Sequence, residues 1–251
     1  MRPPDLESFS MSRAVLLLLL LGMCSERLSS APDDVLARSR AMYAALNSYA
    51  DTGVVVNEFG PANAPSKEQH AFATYFRRAP RAFYFDFKKA SGDQFVIWGD
   101  PDAFHNWWKT TGVKEDYPNP NNIGAFGTAD PRTLGSAMKI PTLLYANARL
   151  QGPFTNFTDA VQTGTEEIAG HKCYRLAGTA YDVYGATGNK SNLRDMTVWV
   201  DGESLLIRKI VEVSKGGATV NILRVTTTFE PQANPTLDAG KFKFTPPSAG
   251  K

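Results

Sequence analysis

The chain has 251 residues, of which 43% are hydrophobic and 21% are charged, and its formal net charge is +2. This composition is typical of a folded globular protein. The charge is too small, and the basic residues are too dispersed, for a surface that follows nucleic-acid phosphates. No nucleic-acid partner is therefore expected.

The first element along the chain is an apolar run, "AVLLLLLLG", at residues 14–22. This run is too short to cross a bilayer as a helix, which takes about 20 residues. With Arg13 before it, the run has the form of a secretory signal, so we predict export to the periplasm. We place the signal peptide at residues 1–31 and a single domain at residues 32–251.

The end of the signal has two interpretations. Residues 21–24, "LGMC", resemble the motif that precedes a lipid-modified cysteine, although Met23 stands where a small residue is expected. Lipidation of Cys24 would anchor the protein to a membrane. The alternative is ordinary cleavage near Ser30 or Ala31, which leaves Cys173 as the one cysteine of the mature chain. We then expect no intramolecular disulfide, and Cys173 as a small buried apolar residue.

Helical material is predicted in two places. After the signal, Val35, Met42, Leu46 and Tyr49 recur close to helical spacing. A second helical segment is predicted from residue 130 to about residue 149, with an interruption at Pro141. These two segments are the only candidates to cover the β structure between and after them.

Most of the remaining chain alternates apolar and polar residues between turn signals, which predicts about ten antiparallel strands. They are predicted at residues 49–59, 71–78, 81–89, 94–99, 103–109, 165–171, 172–181, 194–201, 204–214 and 218–230. No repeat or linker marks a further domain. The fold predicted from these elements is mainly β: a single curved antiparallel sheet, with an N-terminal helix and a helical insertion.

The stretch "AFATYFRRAPRAFYFDFK", residues 71–88, raises the question of what its phenylalanines cover. Successive side chains of a strand point to opposite faces, so the phenylalanines of each run share one face. Either the sheet and its helices pack as an ordinary closed core, or the helices form a lid over an apolar pocket. For the pocket we predict as lining residues Phe72, Phe76, Phe83, Phe85, Phe87, Trp98, Trp107 and Trp108.

Groups that could carry out catalysis are sparse in the sequence. The histidines, His70, His105 and His171, are far apart and lack metal-site spacing. Asp100 and Asp102 stand near His105, but we interpret this group as a turn. The chain has no nucleophile elbow and no phosphate-binding loop. We therefore expect no enzyme activity, no catalytic residue, no metal and no cofactor.

The order of elements resembles that of the LolA/LolB-like periplasmic lipoprotein carriers and their exported relatives. The segments that carry this resemblance are "RRAPRAFYF", "DQFVIWGD", "HNWW" and, most clearly, the ending "TTTFEPQANPTLDAGKFKFTPP". Within this ending, the matching positions are Leu237, Asp238, Phe242, Phe244, Pro246 and Pro247. The resemblance implies an incomplete barrel with a helical lid, which holds acyl chains.

The resemblance also implies a tether between lid and barrel. Carriers of this kind place an arginine directly before a proline at the end of an early strand. Here Arg78 is separated from Pro80 by Ala79, one residue more than in that pattern. Because a shift of one residue reverses the face of a side chain, Arg77 or Arg81 could take this role instead of Arg78.

The function expected from these observations is a non-enzymatic periplasmic carrier of lipids or lipoprotein acyl chains, with a membrane protein as a further partner. A second class of function is an envelope sensor, a regulatory interaction module on the same fold. A hydrolase or metal enzyme is a distant third alternative.

Overall fold

The computed structural model describes residues 32–61, 63–118, 134–145, 152–184, 189–215 and 222–247. The predicted signal peptide and Cys24 lie outside the described residues. The described residues belong to one unit, Ala31–Lys251.

The described chain forms one antiparallel sheet of twelve strands that is not closed into a barrel. The predicted fold class, a mainly β protein with a curved open sheet and few helices, is confirmed. The strands are β1 (Ser48–Phe59), β2 (Ser66–Arg77), β3 (Ala82–Lys88), β4 (Gln94–Gly99), β5 (Phe104–Trp108), β6 (Lys114–Tyr117), β7 (Phe157–Ile168), β8 (His171–Tyr184), β9 (Asn189–Asp201), β10 (Ile207–Ser214), β11 (Ile222–Phe229) and β12 (Gln232–Ala233).

The order of strands across the sheet is β6-β5-β4-β3-β2-β1-β11-β10-β9-β8-β7, and β12 pairs with one end of β1. Along this order, neighbouring strands are consecutive in sequence except at the centre, where β1 pairs with β11. The long central strand β1 therefore joins an N-terminal half, β1–β6, to a C-terminal half, β7–β11. We call the face that carries Tyr49, Phe72 and Phe85 the inner face and the opposite one the outer face.

The N-terminal helix, α1, spans Pro32–Ala45. It begins at a proline, whose missing N–H and fixed φ suit the first turn of a helix. Its buried residues recur along one side, which packs in the main hydrophobic core: Val35, Leu36, Ser39, Tyr43 and Leu46 at the C-terminal end. The helix ends at Ala45, and Tyr49, which follows the same spacing in the sequence, belongs to β1, in agreement with the strand predicted at residues 49–59.

A second helical region lies between the two halves of the sheet. Residues 134–145, which we call the lid segment, contain a 3-10 helix (Gly135–Met138) and helix α2 (Lys139–Leu144). Pro141 lies in the first turn of α2, where its missing N–H has no acceptor to lose, so it does not interrupt the helix. Short 3-10 turns follow at Gly152–Phe154 and Ala239–Phe242. None of the described helices has the length and apolar character needed to cross a membrane.

The strands differ from the prediction in several places: β2 and β9 begin earlier than predicted, β12 was not predicted, and β6 and β7 were missed in whole or in part. β6 falls partly in a predicted loop, and the first half of β7 was not predicted at all. Both strands lie at the edges of the sheet. Their side chains are mostly exposed, so they lack the apolar alternation by which a half-buried strand is recognised.

Candidate functional site

Phenylalanine rings line the inner face of β2 and β3. Phe72 pairs across the strands with Phe87, and Phe76 pairs with Phe83. Phe85 lies between these pairs, 6.3 Å from Phe72 as measured between ring centroids. We call the following set the aromatic face, which β4 and β5 extend: Phe72, Phe76, Phe83, Phe85, Phe87, Phe95 and Phe104. None of these side chains is more than 4% exposed.

The three tryptophans predicted to join this surface do not lie together. Trp108 is on the inner face, where its ring lies 4.2 Å from that of Phe95. Trp98 and Trp107 are on the outer face, since they pair with positions that alternate with the phenylalanines. Both contact Phe244 of the C-terminal segment, at 5.1 Å and 5.3 Å between ring centroids. The structure therefore does not bring Trp98 and Trp107 to the aromatic face.

The lid segment lies against the aromatic face. Tyr145, at its end, contacts three rings of this face: Phe76 at 5.4 Å, Phe83 at 6.0 Å and Phe104 at 5.6 Å. The apolar side chains of the segment are buried in the same core, namely Leu134, Ala137, Ile140, Leu143 and Leu144. Sequence reasoning did not single out these lid residues, although their position in a helical insertion was predicted.

Arg78 connects the β2–β3 turn to the ends of both helices. Its Nε donates to the backbone carbonyl of Leu46, just after α1, at 2.8 Å. Its Nη2 donates to the backbone carbonyl of Leu144, at the end of α2, at 3.2 Å. The last carbonyls of a helix have no partner within the helix and carry partial negative charge, so a guanidinium suits them well.

The neighbouring arginines have other contacts. Arg77 donates to the carbonyl of Pro80 within the turn and lies over the ring of Phe242. Arg81 donates to the carbonyl of Pro101. Of the three candidates for a lid tether, Arg78 is thus the one for which the structure gives hydrogen bonds to the carbonyls that end α1 and α2.

An ionic cluster holds the other end of the lid segment. Glu212, on the inner face of β10, accepts hydrogen bonds from Ser136 at 2.6 Å and from Lys139 at 2.5 Å. It also accepts from Arg194 of β9 at 2.6 Å, and Arg194 pairs in turn with Asp182. Burial opposes the charge on Glu212, but Lys139 and Arg194 outweigh it and lower the pKa of this carboxyl to about 2. Sequence reasoning missed this cluster.

A second polar group is buried beneath α1. Tyr43 of the helix accepts a hydrogen bond from the Ile207 backbone N–H at 3.0 Å. Tyr49 donates to a carboxylate oxygen of Asp51 at 2.7 Å. Asp51 is only 2% exposed, and this burial raises its pKa to about 6.

His70 lies on the inner face at the end of the aromatic face. It follows the same alternation along β2 as Phe72 and Phe76, and its ring lies 5.4 Å from that of Phe87. Its side chain is only 3% exposed. Burial lowers its pKa, which favours the neutral imidazole.

The group around His105 is on the outer face. His105 Nδ1 lies 2.5 Å from a carboxylate oxygen of Asp116, and Nε2 lies 3.8 Å from Asp100. One oxygen of Asp100 accepts the backbone N–H groups of Asp102 and Ala103, as in the predicted turn. Among the described residues, no three His, Cys, Asp or Glu side chains are arranged to hold a metal ion.

Cys173 is a free, fully buried cysteine. Burial raises the pKa of its thiol to about 11, so it is protonated at neutral pH. A protonated, inaccessible thiol is a poor nucleophile.

Comparison with known proteins places the chain in a family. It belongs to the DUF2092 family, described as predicted periplasmic proteins, whose sequence model matches residues 80–251. The expected periplasmic localisation is thereby confirmed. No curated protein matches the sequence.

Solved structures with a similar fold include lipoprotein LppX from Mycobacterium tuberculosis, at 12% identity and a TM-score of 0.44, over 82% of this chain and 98% of that one. A LolA superfamily protein from Nitrosomonas europaea is 10% identical, with a TM-score of 0.30, over 86% of this chain and 99% of that one. MucB in complex with MucA is 14% identical, with a TM-score of 0.42, over 85% of this chain and 60% of that one.

Proposed function

We propose that this protein is a non-enzymatic periplasmic carrier that holds the acyl chains of a lipid or lipoprotein between the aromatic face and the lid segment. The observation that carries the proposal is the position of Arg78. A single side chain fastens the end of α1 and the end of the lid segment, and the lid segment lies against the phenylalanine rings. Such a surface offers apolar contact and no reactive group.

The free energy gained by binding an acyl chain can compensate for the loss of the hydrogen bonds that attach the lid. Two charge-assisted hydrogen bonds contribute together about 3–6 kcal/mol. A buried methylene contributes about 0.8 kcal/mol, so an acyl chain of roughly 15 methylenes contributes on the order of 12 kcal/mol. An acyl chain that lies between the aromatic face and the lid segment keeps both surfaces covered, so its own burial can offset the loss of the Arg78 hydrogen bonds.

A carrier must also release what it carries. The Arg78 bonds end on main-chain carbonyls that water can solvate once the lid has moved, so opening leaves no buried acceptor unpaired. Release would take place at a membrane, and a membrane protein that receives the lipid is the partner expected for this step.

The test is direct binding of a fluorescent fatty acid, 11-(dansylamino)undecanoic acid, to the purified mature protein. We expect saturable binding and an emission shift to the blue as the dansyl group leaves water. Arg78→Ala frees the lid, so the association rate should rise several-fold. Arg77→Ala, in the same turn, is the matched control and should leave this rate unchanged.

Two outcomes would count against the carrier. Absence of saturable binding by both the wild type and Arg78→Ala would reject it. Capture of an envelope protein by a chain that binds no lipid would instead support the sensor function. Native mass spectrometry of protein taken from an envelope fraction distinguishes the two, because it measures the mass of a bound lipid and of a bound protein together.

A further inference from the structure

His70 is a buried polar residue at the end of the aromatic face. Within the part of the chain that the structure describes, neither of its ring nitrogens has a hydrogen-bond partner. The Glu68 carboxylate lies 3.7 Å from Nε2, which is beyond hydrogen-bond distance. A buried donor or acceptor without a partner destabilises the folded state, whereas a phenylalanine here would extend the aromatic face at no such cost.

One residue, Val55, lies between His70 and the start of the lid segment. Its cross-strand neighbour on β1 is Val55. On the other side of Val55 the lid segment begins, and Gly135 packs there so closely that a Cβ atom would come within 3.1 Å of Val55 Cγ1. His70 and the start of the lid segment therefore share Val55 as a neighbour, and His70 also contacts Phe87 at the end of the aromatic face.

The chemistry of a neutral imidazole narrows the choice of ligand. One ring nitrogen donates a hydrogen bond and the other accepts one. Ester carbonyls, ionised carboxylates and phosphodiesters can only accept, so they leave the acceptor nitrogen unpaired. A hydroxyl group can donate to that nitrogen, and an ester carbonyl beside it can accept from the ring N–H.

We propose that His70 is a specificity-determining residue that hydrogen-bonds a free hydroxyl group of the bound lipid, at the point where the acyl chains enter beneath the lid. The inference rests on the carrier function proposed above and specifies its substrate class. The cargo is a lipid with a hydroxyl group next to its acyl chains, as in a diacylglycerol, rather than a fully esterified lipid or a bare hydrocarbon.

The test compares two lipids that differ at this hydroxyl: 1,2-dioleoylglycerol and its acetyl ester, 1,2-dioleoyl-3-acetylglycerol. Each displaces the dansyl fatty acid from the full mature protein. The wild type should bind the alcohol about five- to tenfold more tightly than the ester, the range expected for one or two hydrogen bonds. His70→Phe should bind both lipids equally. Gln69→Phe, the next residue on β2 but on the outer face, is the control and should keep the preference.

The possible results separate this inference from the carrier function. Equal binding of both lipids by the wild type, or an undiminished preference in His70→Phe, would overturn the role of His70 and leave the carrier intact. Failure of the wild type to bind either lipid or the dansyl probe would reject both. Thermal unfolding without ligand gives a further measurement. His70→Phe should raise the midpoint of unfolding, because the substitution removes buried nitrogens that lack hydrogen bonds. If this variant does not fold, His70→Leu takes its place.

Discussion

Arg78 and Leu144 are 66 residues apart in sequence and are joined by a hydrogen bond of 3.2 Å from the guanidinium to the backbone carbonyl. The same guanidinium donates to the carbonyl of Leu46. The turn after β2 is therefore a common attachment point for α1 and for the lid segment.

Removal of this attachment should loosen the lid without unfolding the sheet. In Arg78→Ala we expect the backbone amides of residues 139–145 to exchange with solvent roughly ten- to a hundredfold faster, as the loss of a charge-assisted hydrogen bond predicts. Amides of β2 and β3 should keep their protection. Hydrogen exchange followed by mass spectrometry measures both regions at once. Unchanged exchange in the lid, or equal loosening in Arg77→Ala, would mean that Arg78 is not a tether.

Phe85 tests how closely the lidded face is packed in the ligand-free protein. Its side chain is fully buried, so Phe85→Ala should lower the free energy of unfolding by about 3–5 kcal/mol. Tyr84, the next residue, lies on the outer face and stacks on Tyr75, so Tyr84→Ala should cost clearly less. Urea denaturation gives both values. A loss below about 2 kcal/mol for Phe85→Ala would indicate that the ring is loosely packed and that space for a ligand already exists.

The sequence allowed the aromatic face to be predicted on β2 and β3 because alternation there is strict. The same reasoning failed to separate the faces of β4, where Phe95 and Val96 are neighbours and both are fully buried. The outer face of β4 is covered by the C-terminal segment, which places Phe244 against Trp98. A strand buried on both faces carries no alternation from which its orientation can be deduced.

The ionic cluster escaped prediction for a different reason. The register of β9 and β10 shifts between Ile207 and Lys209, and this bulge reverses the alternation after it. Ile207 and Ile210 are therefore both buried, and Glu212 follows Ile210 onto the inner face. Its partners Lys139 and Arg194 come from distant parts of the chain, so no local spacing could indicate the cluster.

The predicted export signal can be checked by intact mass. Because the apolar run at residues 14–22 has the length of a signal and not of a membrane span, exported protein should begin between Cys24 and Pro32. An adduct with the mass of a diacylglycerol on Cys24 would establish lipidation, and a start at Ser30 or Ala31 would establish ordinary cleavage. Retention of Met1 or Met11 on exported protein would contradict the prediction.

Glu212 should be a major contributor to stability at neutral pH. Glu212→Gln leaves the half-buried Lys139 and Arg194 without their shared carboxylate, so the free energy of unfolding should fall by roughly 3–5 kcal/mol. Lys139→Met is the matched control and should cost less, because Arg194 still neutralises Glu212. Since the pKa of Glu212 is lowered from 4.5 to about 2, this contribution is complete above pH 4.5 and is lost as the pH falls toward 2. Equal stability of Glu212→Gln and wild type at pH 7 would disprove the stabilising role of Glu212.

The contribution of Asp51 to the free energy of unfolding should depend on pH in the opposite direction from that of Glu212. Its pKa is raised from 3.8 to about 6, so the folded state binds its proton more tightly than the unfolded state does. The favourable contribution of protonated Asp51 is complete below pH 3.8 and is lost as the pH rises through 6, a change of about 3 kcal/mol. Asp51→Asn cannot ionise and is the matched control. The other carboxyl groups contribute equally to the stability of both proteins, so their contributions cancel in the difference. Denaturation at pH values from 4 to 7 should therefore show wild type losing stability relative to Asp51→Asn, and a constant difference over this range would mean that Asp51 titrates normally.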